Sequence, residues 1–168
     1  NVHHGVMSDV TSDLALMQPG QVIARGVCRL LASHDFGCLE EFVPKRGLRV
    51  DVMGLGPKGE LWCVECKSSR ADYMSDHKWQ GYLEFCDRFF WALPPGMDRS
   101  PLEGDAYRPD CCGIVVADGY DGEIVRPAPL HPLAAARRKL EVERLARTAL
   151  RRARVALDPQ CAPWGTPE

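Results

Sequence analysis

The chain has 168 residues, 45% of them hydrophobic and 26% charged, and carries a formal net charge of −2. This composition is typical of a globular domain that buries its own core, and it argues against a disordered or membrane-embedded chain. No apolar run approaches the roughly 20 residues needed to span a bilayer. We therefore expect no membrane partner.

We expect residues 9–157 to form a single domain. Residues 1–8 have the composition of a tag remnant or a disordered N-terminus, and the proline-rich residues 158–168 are expected to form a loose tail. We also expect no secretory signal peptide. The eight cysteines then favour a reducing cytoplasm over a disulfide framework.

The predicted elements mix helices and strands. A helix over 20–33 follows Pro19 and has apolar residues at helical spacing. The remaining elements, in chain order, are strands over 38–43, 49–55 and 60–68, a helix over 72–86, a strand over 88–93, a surface loop over 95–110, strands over 113–117 and 123–126, and a helix over 133–157. The second and third strands carry the residues with the clearest chemical potential.

A tight turn is predicted between these two strands. In Gly56-Pro57-Lys58-Gly59, proline favours the first central position of a type I turn and Gly59 suits a left-handed residue. Such a loop pairs position 56 with 60, which sets Asp51 directly opposite Glu65. Opposed residues point to the same side of a sheet, and strand alternation then adds Lys67 to that side. The sequence therefore predicts that two carboxylates and a lysine converge.

Two adjoining carboxylates repel each other unless a cation or a basic group lies between them. An oxygen-only ligand set suits Mg²⁺ or Mn²⁺, so Asp51 and Glu65 are candidate metal ligands. The alternative is a charged cross-strand pair beside Lys67 on a solvated face. Cys63-x-x-Cys66 makes a poor zinc site, because strand residues three apart point to opposite faces; these cysteines are interpreted as buried thiols.

The element order, with Arg49-Val50-Asp51-Val52-Met53 and Val64-Glu65-Cys66-Lys67-Ser68, resembles the PD-(D/E)xK superfamily. More narrowly, residues 19–133 resemble the MmcB-like bacterial DNA-repair proteins, through the hairpin and the segments Arg25-Gly26-Val27-Cys28-Arg29 and Asp76-His77-Lys78-Trp79-Gln80-Gly81-Tyr82. The resemblance implies a restriction-endonuclease-like α/β fold, in which helices flank a mixed central sheet.

The resemblance also implies roles for individual residues. Asp51, Glu65 and the main-chain carbonyl near Cys66 would hold the metal, Lys67 would assist the attacking water, and Gln80 would position substrate or lysine. Two features differ from the superfamily pattern: Val50 replaces the proline that gives the superfamily its name, and the helix over 20–33 contains no acid. The missing acid favours a fold that has lost turnover.

The last predicted helix concentrates positive charge. Residues 134–156 contain eight basic and two acidic side chains, a balance of +6, so the rest of the chain carries −8. An apolar stripe runs beside a basic stripe that includes Arg144, Arg147 and Arg151. The basic stripe fits a solvated face, a rail for DNA phosphates, or a helix that packs on a second subunit in a homodimer. Arg25 and Lys78 are further candidates for DNA contacts.

These observations favour a DNA-repair protein that hydrolyses DNA phosphodiester bonds with Mg²⁺ or Mn²⁺. No base-recognition module is evident, so selectivity for DNA structure over sequence is expected. The alternative from another class is a non-catalytic DNA-binding or scaffold protein that retains the nuclease fold. A small-molecule or zinc-binding module built on the cysteines is a third, more remote reading.

Overall fold

A six-stranded mixed sheet forms the centre of the protein, in the spatial order β1-β2-β3-β4-β5-β6. The computed structural model describes residues 14–162; the predicted N-terminal remnant and residues 163–168 of the predicted tail lie outside the described residues. The strands are β1 (Gly37–Lys45), β2 (Leu48–Leu55), β3 (Leu61–Cys66), β4 (Arg88–Leu93), β5 (Cys112–Ala117) and β6 (Gly122–Arg126). The α-helices are α1 (Pro19–Ser33), α2 (Arg70–Met74) and α3 (Ala135–Leu157).

The directions of the strands decide which residues share an end of the sheet. Strands β1, β2 and β3 are antiparallel in succession, β3, β4 and β5 are parallel, and β6 is antiparallel to β5. The end of β1, the start of β2 and the end of β3 therefore lie together. The α/β fold with a mixed central sheet flanked by helices is confirmed.

The hairpin register predicted from the turn is confirmed. Leu55 pairs with Leu61 and Val52 with Val64, which is the predicted register. The ladder ends there, and the Asp51 amide just beyond it donates to the Glu65 side chain. The Gly56 N–H donates to the Glu60 carbonyl at 2.8 Å, and Gly59 has a φ of +80°. The left-handed glycine at this turn is what fixes the register.

Apolar side chains form a core on each face of the sheet. Ile23, Val27 and Leu31 of α1 cover one face, whereas the segment between β3 and β4, together with Leu145 of α3, covers the other. Cys63 lies in the second core and Cys66 in the first, which confirms that these two thiols point to opposite faces. No helix within residues 14–162 combines the length and hydropathy that a membrane span requires.

The prediction of one continuous helix over 72–86 was wrong. The chain instead forms α2, breaks at Ser75, and continues as a 3-10 helix over Trp79–Phe85. The Asp76 carboxylate causes the break: its Oδ1 accepts the amides of Lys78 at 2.9 Å and Trp79 at 3.0 Å, in place of helical backbone bonds.

The apolar stripe predicted on the last helix is only partly buried. Leu145 is buried, whereas Leu150 and Leu157 are 70% and 82% exposed. Arginines do much of the docking instead: the Arg152 guanidinium donates to the carbonyls of Glu40 and Glu41 on the edge strand β1. Helix α3 therefore packs on the sheet face through Leu145 and reaches the edge strand β1 through Arg152.

Candidate active site

Asp51 and Glu65 lie at the point where β2 and β3 separate. The Asp51 amide donates to Glu65 Oε1 at 3.2 Å, and the Cys66 amide donates to Asp51 Oδ2 at 2.8 Å. Each carboxyl group is thus anchored to the backbone of the opposite strand. The two predicted metal ligands are brought together by this exchange.

The environment of both carboxyl groups disfavours negative charge. Burial, and then repulsion from Asp51, raise the pKa of Glu65 to about 8. Burial also raises the pKa of Asp51, although the Cys66 amide and Lys67 oppose that shift. Glu65 is only 3% exposed. A cation beside the pair would offset this cost, because it stabilises both ionised forms.

Lys67 extends the cluster on the other side of Glu65. Its Nζ lies 3.6 Å from Glu65 Oε2 and 2.8 Å from Asp76 Oδ2, and its side chain is largely buried. Burial lowers the pKa of Lys67, but the hydrogen bond to Asp76 and the charge of Glu65 outweigh it, so the pKa lies above its ordinary value. Lys67 is therefore a protonated lysine that pairs with the Asp76 carboxylate and has the Glu65 carboxyl group on its other side.

Asp76, and not Gln80, is the partner of this lysine from the segment after β3. Gln80 is exposed on the 3-10 helix and forms no side-chain hydrogen bond within residues 14–162. The sequence placed Asp76 one turn before Gln80 on a continuous helix. The role of Asp76 depends on the helix break that its own carboxylate produces, which the helical periodicity does not indicate.

A cavity of about 310 Å³ opens beside Asp51 and Cys66. Gln21 of α1 lines it, and α1 itself contains no acidic residue. Glu40 and Glu41 of β1 line it as well, and Glu41 has a positive φ of 50°. These two acids are not among the site residues predicted from the sequence; their signal is a pair of adjacent glutamates on the strand that neighbours Asp51.

The residues present fit a partly hydrated magnesium or manganese ion. Within residues 14–162, no three His, Cys, Asp or Glu side chains are grouped closely enough to hold a metal. Mg²⁺ is ordinarily bound by one or two carboxylates, with waters and substrate oxygens completing its shell. Asp51 and Glu65 supply that number of carboxylates, and Cys66 lines the cavity beside Asp51, where its amide donates to the Asp51 carboxylate. These oxygen donors do not match a structural zinc site, which is tetrahedral and is built from cysteine and histidine ligands.

The predicted DNA-binding arginines divide into two groups. The Arg144 Nη1 donates to the Pro44 carbonyl at 2.8 Å and to Glu141 Oε1 at 3.2 Å, so it docks α3. Arg147 and Arg151 are exposed and form no salt bridge or side-chain hydrogen bond within the described chain. Only the second group is free to contact a ligand with its whole guanidinium.

Arg25 and Lys78 also have different surroundings. The Arg25 Nη1 donates to the Gly119 carbonyl at 2.9 Å, which ties α1 to the turn between β5 and β6. The neighbouring Gly26 allows this close packing, because a Cβ there would lie 1.9 Å from the Asp118 carbonyl oxygen. Lys78 is exposed near Asp76. Arg25 therefore has a structural contact, whereas Lys78 is accessible.

Both a solved structure and a family model are similar to this chain. A protein of unknown function from Silicibacter pomeroyi has a solved structure that is similar to this one, with a TM-score of 0.79 and 53% sequence identity over 90% of this chain and 99% of that chain. No curated protein gives a significant match. Residues 8–160 match the family described as "DNA repair protein MmcB-like". This chain, with its paired carboxylates and lysine on the central hairpin, belongs to the MmcB-like family of DNA repair proteins.

Proposed function

We propose that the protein hydrolyses phosphodiester bonds of DNA during repair, with Asp51 and Glu65 as ligands of Mg²⁺ or Mn²⁺. The observation that carries this proposal is the convergence of Asp51, Glu65 and Lys67 where β2 and β3 separate. The order of helix, antiparallel hairpin and crossover to a parallel strand supports a restriction-endonuclease-like fold.

Each residue has a distinct part in such a reaction. When bound, the metal would activate a water and polarise a phosphoryl oxygen. Lys67 is held protonated by Asp76 and Glu65, so it offsets the negative charge that develops on the phosphate and does not accept a proton. Asp76 acts through Lys67 and is a positioning residue. Gln80 is accessible to substrate but does not position the lysine.

A non-catalytic DNA-binding protein is the second candidate function. It is favoured by the absence of an acid from α1, and by the contacts that Lys67 already makes with Asp76 and Glu65. In that case Lys67 and Asp76 form a structural ion pair that stabilises the end of β3 beside Glu65. The two candidates differ in one property, which is turnover in the presence of a divalent metal.

The experiment is a cleavage assay on branched, nicked, single-stranded and double-stranded DNA with Mg²⁺ or Mn²⁺. We expect cleavage that depends on DNA structure and is insensitive to sequence, and we expect Asp51→Asn to abolish it. Asp98→Asn, which changes an exposed carboxylate in the loop after β4, is the matched control and should cleave as the wild type does. Binding of every substrate without cleavage of any would support the non-catalytic candidate.

A further inference from the structure

A positively charged cavity lies at the same end of the sheet as the candidate active site. Its volume is about 560 Å³, and it is formed by the turn between β1 and β2, the 3-10 helix over Trp79–Phe85 and α3. Four cationic side chains line it, against the single carboxylate of Glu84: Lys45, Arg46, Arg137 and Arg144. This excess of positive charge is surrounded by a chain whose remaining residues are acidic overall.

The turn that lines this cavity leads directly into the strand that carries Asp51. Lys45 ends β1 and Arg46 begins the turn into β2, and both strand ends adjoin the end of β3. At roughly 3.3 Å per residue, the chain from Arg46 to Asp51 spans at most about 17 Å. The Tyr82 hydroxyl donates to the Arg49 carbonyl at 3.0 Å, which fixes the 3-10 helix against the start of β2.

Two of the four cations are held in place by a buried carboxylate. Arg137 Nη1 and Arg144 Nη1 both donate to Glu141 Oε1, at 3.4 Å and 3.2 Å, and Glu141 has no exposed surface. The Arg137 guanidinium also lies 5.3 Å from the centre of the Phe85 ring. Both side chains remain about two-fifths exposed, at 41% and 43%.

The remaining donors of these arginines are available to a ligand. All hydrogen bonds that Arg137 and Arg144 form within the described residues come from Nη1. The Nε and Nη2 groups are left for an oxyanion, and the planar guanidinium binds phosphate through two parallel bonds. Lys45 and Arg46 form no salt bridge or side-chain hydrogen bond within residues 14–162, so both can turn towards the same anion.

We propose that this cavity binds a phosphate of the DNA backbone a few nucleotides from the scissile bond. The inference rests on the proposed function, because it takes DNA as the ligand of the adjoining site. It assigns Lys45, Arg46 and Arg137 a part in substrate binding, beside Arg144. By holding the strand at a fixed distance from Asp51 and Glu65, the cavity sets which bond is presented for cleavage.

The first test is DNA binding in the presence of a metal chelator, so that cleavage plays no part. We expect the double variant Lys45→Ala/Arg46→Ala to bind roughly tenfold or more weakly, with a slope of log affinity against log salt reduced by about 1. Lys58→Ala is the matched control, because Lys58 lies in the turn at the opposite end of the sheet. Thermal unfolding of all the variants should be unchanged, since the substituted side chains are exposed.

The second test locates the phosphate on the DNA. Single backbone phosphates of a bound oligonucleotide are replaced, one at a time, by neutral methylphosphonates. At one position, the replacement should weaken binding to the wild type but not to Lys45→Ala/Arg46→Ala, because the variant has already lost that contact.

The outcomes separate the two proposals. The phosphate subsite would be overturned if the double variant bound DNA with wild-type affinity. It would also be overturned if each methylphosphonate weakened binding to the double variant as much as it weakens binding to the wild type. Either result would leave cleavage at Asp51 and Glu65 intact. Failure of the wild-type protein to bind DNA at all would overturn the proposed function, and the subsite with it.

Discussion

Asp51 and Glu65 each hold the backbone of the other's strand: the Asp51 amide donates to Glu65, and the Cys66 amide beside Glu65 donates to Asp51. This exchange begins where the paired register of β2 and β3 ends, at Val52 and Val64. Backbone hydrogen bonds at the open end of the hairpin, opposite its turn, therefore hold the two carboxyl groups in position. Such a pair is arranged before any metal or substrate arrives.

The first prediction concerns metal binding. Asp51→Asn should weaken Mn²⁺ binding by more than the roughly 10–100-fold that substitutions outside the ligand shell cost, because it removes a charged ligand. Calorimetric titration of Mn²⁺ into the purified protein measures this. Asp98→Asn should bind as the wild type does, and equal affinity of Asp51→Asn and wild type would remove Asp51 from the metal site.

The second prediction concerns Asp76 as the positioning residue of Lys67. Asp76→Asn retains an oxygen for the amides of Lys78 and Trp79 but loses the charge that faces the lysine. We expect kcat to fall about 10–100-fold with little change in KM, the scale of an outer-shell substitution. His77→Ala, at the neighbouring exposed position, is the control. A rise in KM at unchanged kcat would assign Asp76 to substrate binding instead.

The third prediction separates the arginines of α3. Arg147→Ala/Arg151→Ala should weaken DNA binding across sequences and flatten its salt dependence, with unfolding unchanged. Arg144→Ala should in addition destabilise the fold by roughly 1–3 kcal/mol, because it removes donors from the Pro44 carbonyl and from buried Glu141. Urea denaturation and binding isotherms measure the two effects. An unchanged salt slope in the double variant would assign Arg147 and Arg151 to solvent or to a subunit interface.

The fourth prediction concerns a buried ion pair that docks α3 to the sheet. The Asp87 carboxylate accepts Arg138 Nη2 at 2.6 Å and the amides of Leu61 and Leu133, each at 2.8 Å. Burial raises the pKa of Asp87, but Arg138 and the amides outweigh it and hold the pKa below its ordinary value. Asp87→Asn should therefore cost roughly 3 kcal/mol, the low end for breaking a buried pair.

This contribution has a definite pH dependence. Because the folded-state pKa of Asp87 is depressed, its stabilisation is fully present above the unfolded value of about 4 and is lost as the pH falls through the folded pKa. The difference in unfolding free energy between wild type and Asp87→Asn should be constant from pH 7 to about 5, and should shrink below about 4. A difference that grows on acidification would contradict the assigned role.

The sequence predicts those features that depend on local chemistry. The register of the hairpin follows from Gly56 to Gly59, because a left-handed glycine is compatible with only a few hairpin loops. The proximity of Asp51 and Glu65 follows from that register. The opposite faces of Cys63 and Cys66 follow from strand alternation in the same way.

Features that depend on tertiary competition were not predictable in this way. Helical periodicity over 72–86 does not reveal that Asp76 captures two backbone amides and divides the segment. Likewise, charge counting along α3 does not distinguish Arg144 and Arg152, which bond β1 carbonyls, from Arg147 and Arg151, which bond nothing within the described residues. These partners become visible only when α3 is placed against the edge strand.

The most direct test of the central claim compares wild type with Glu65→Gln, purified identically and assayed with Mg²⁺ or Mn²⁺. The glutamine keeps the size of the side chain and an acceptor for the Asp51 amide, but removes the charge that faces the metal. We expect Glu65→Gln to bind DNA as well as the wild type or better, while cleavage falls by several orders of magnitude. Equal cleavage by both proteins, or no cleavage by either while DNA is still bound, would contradict it.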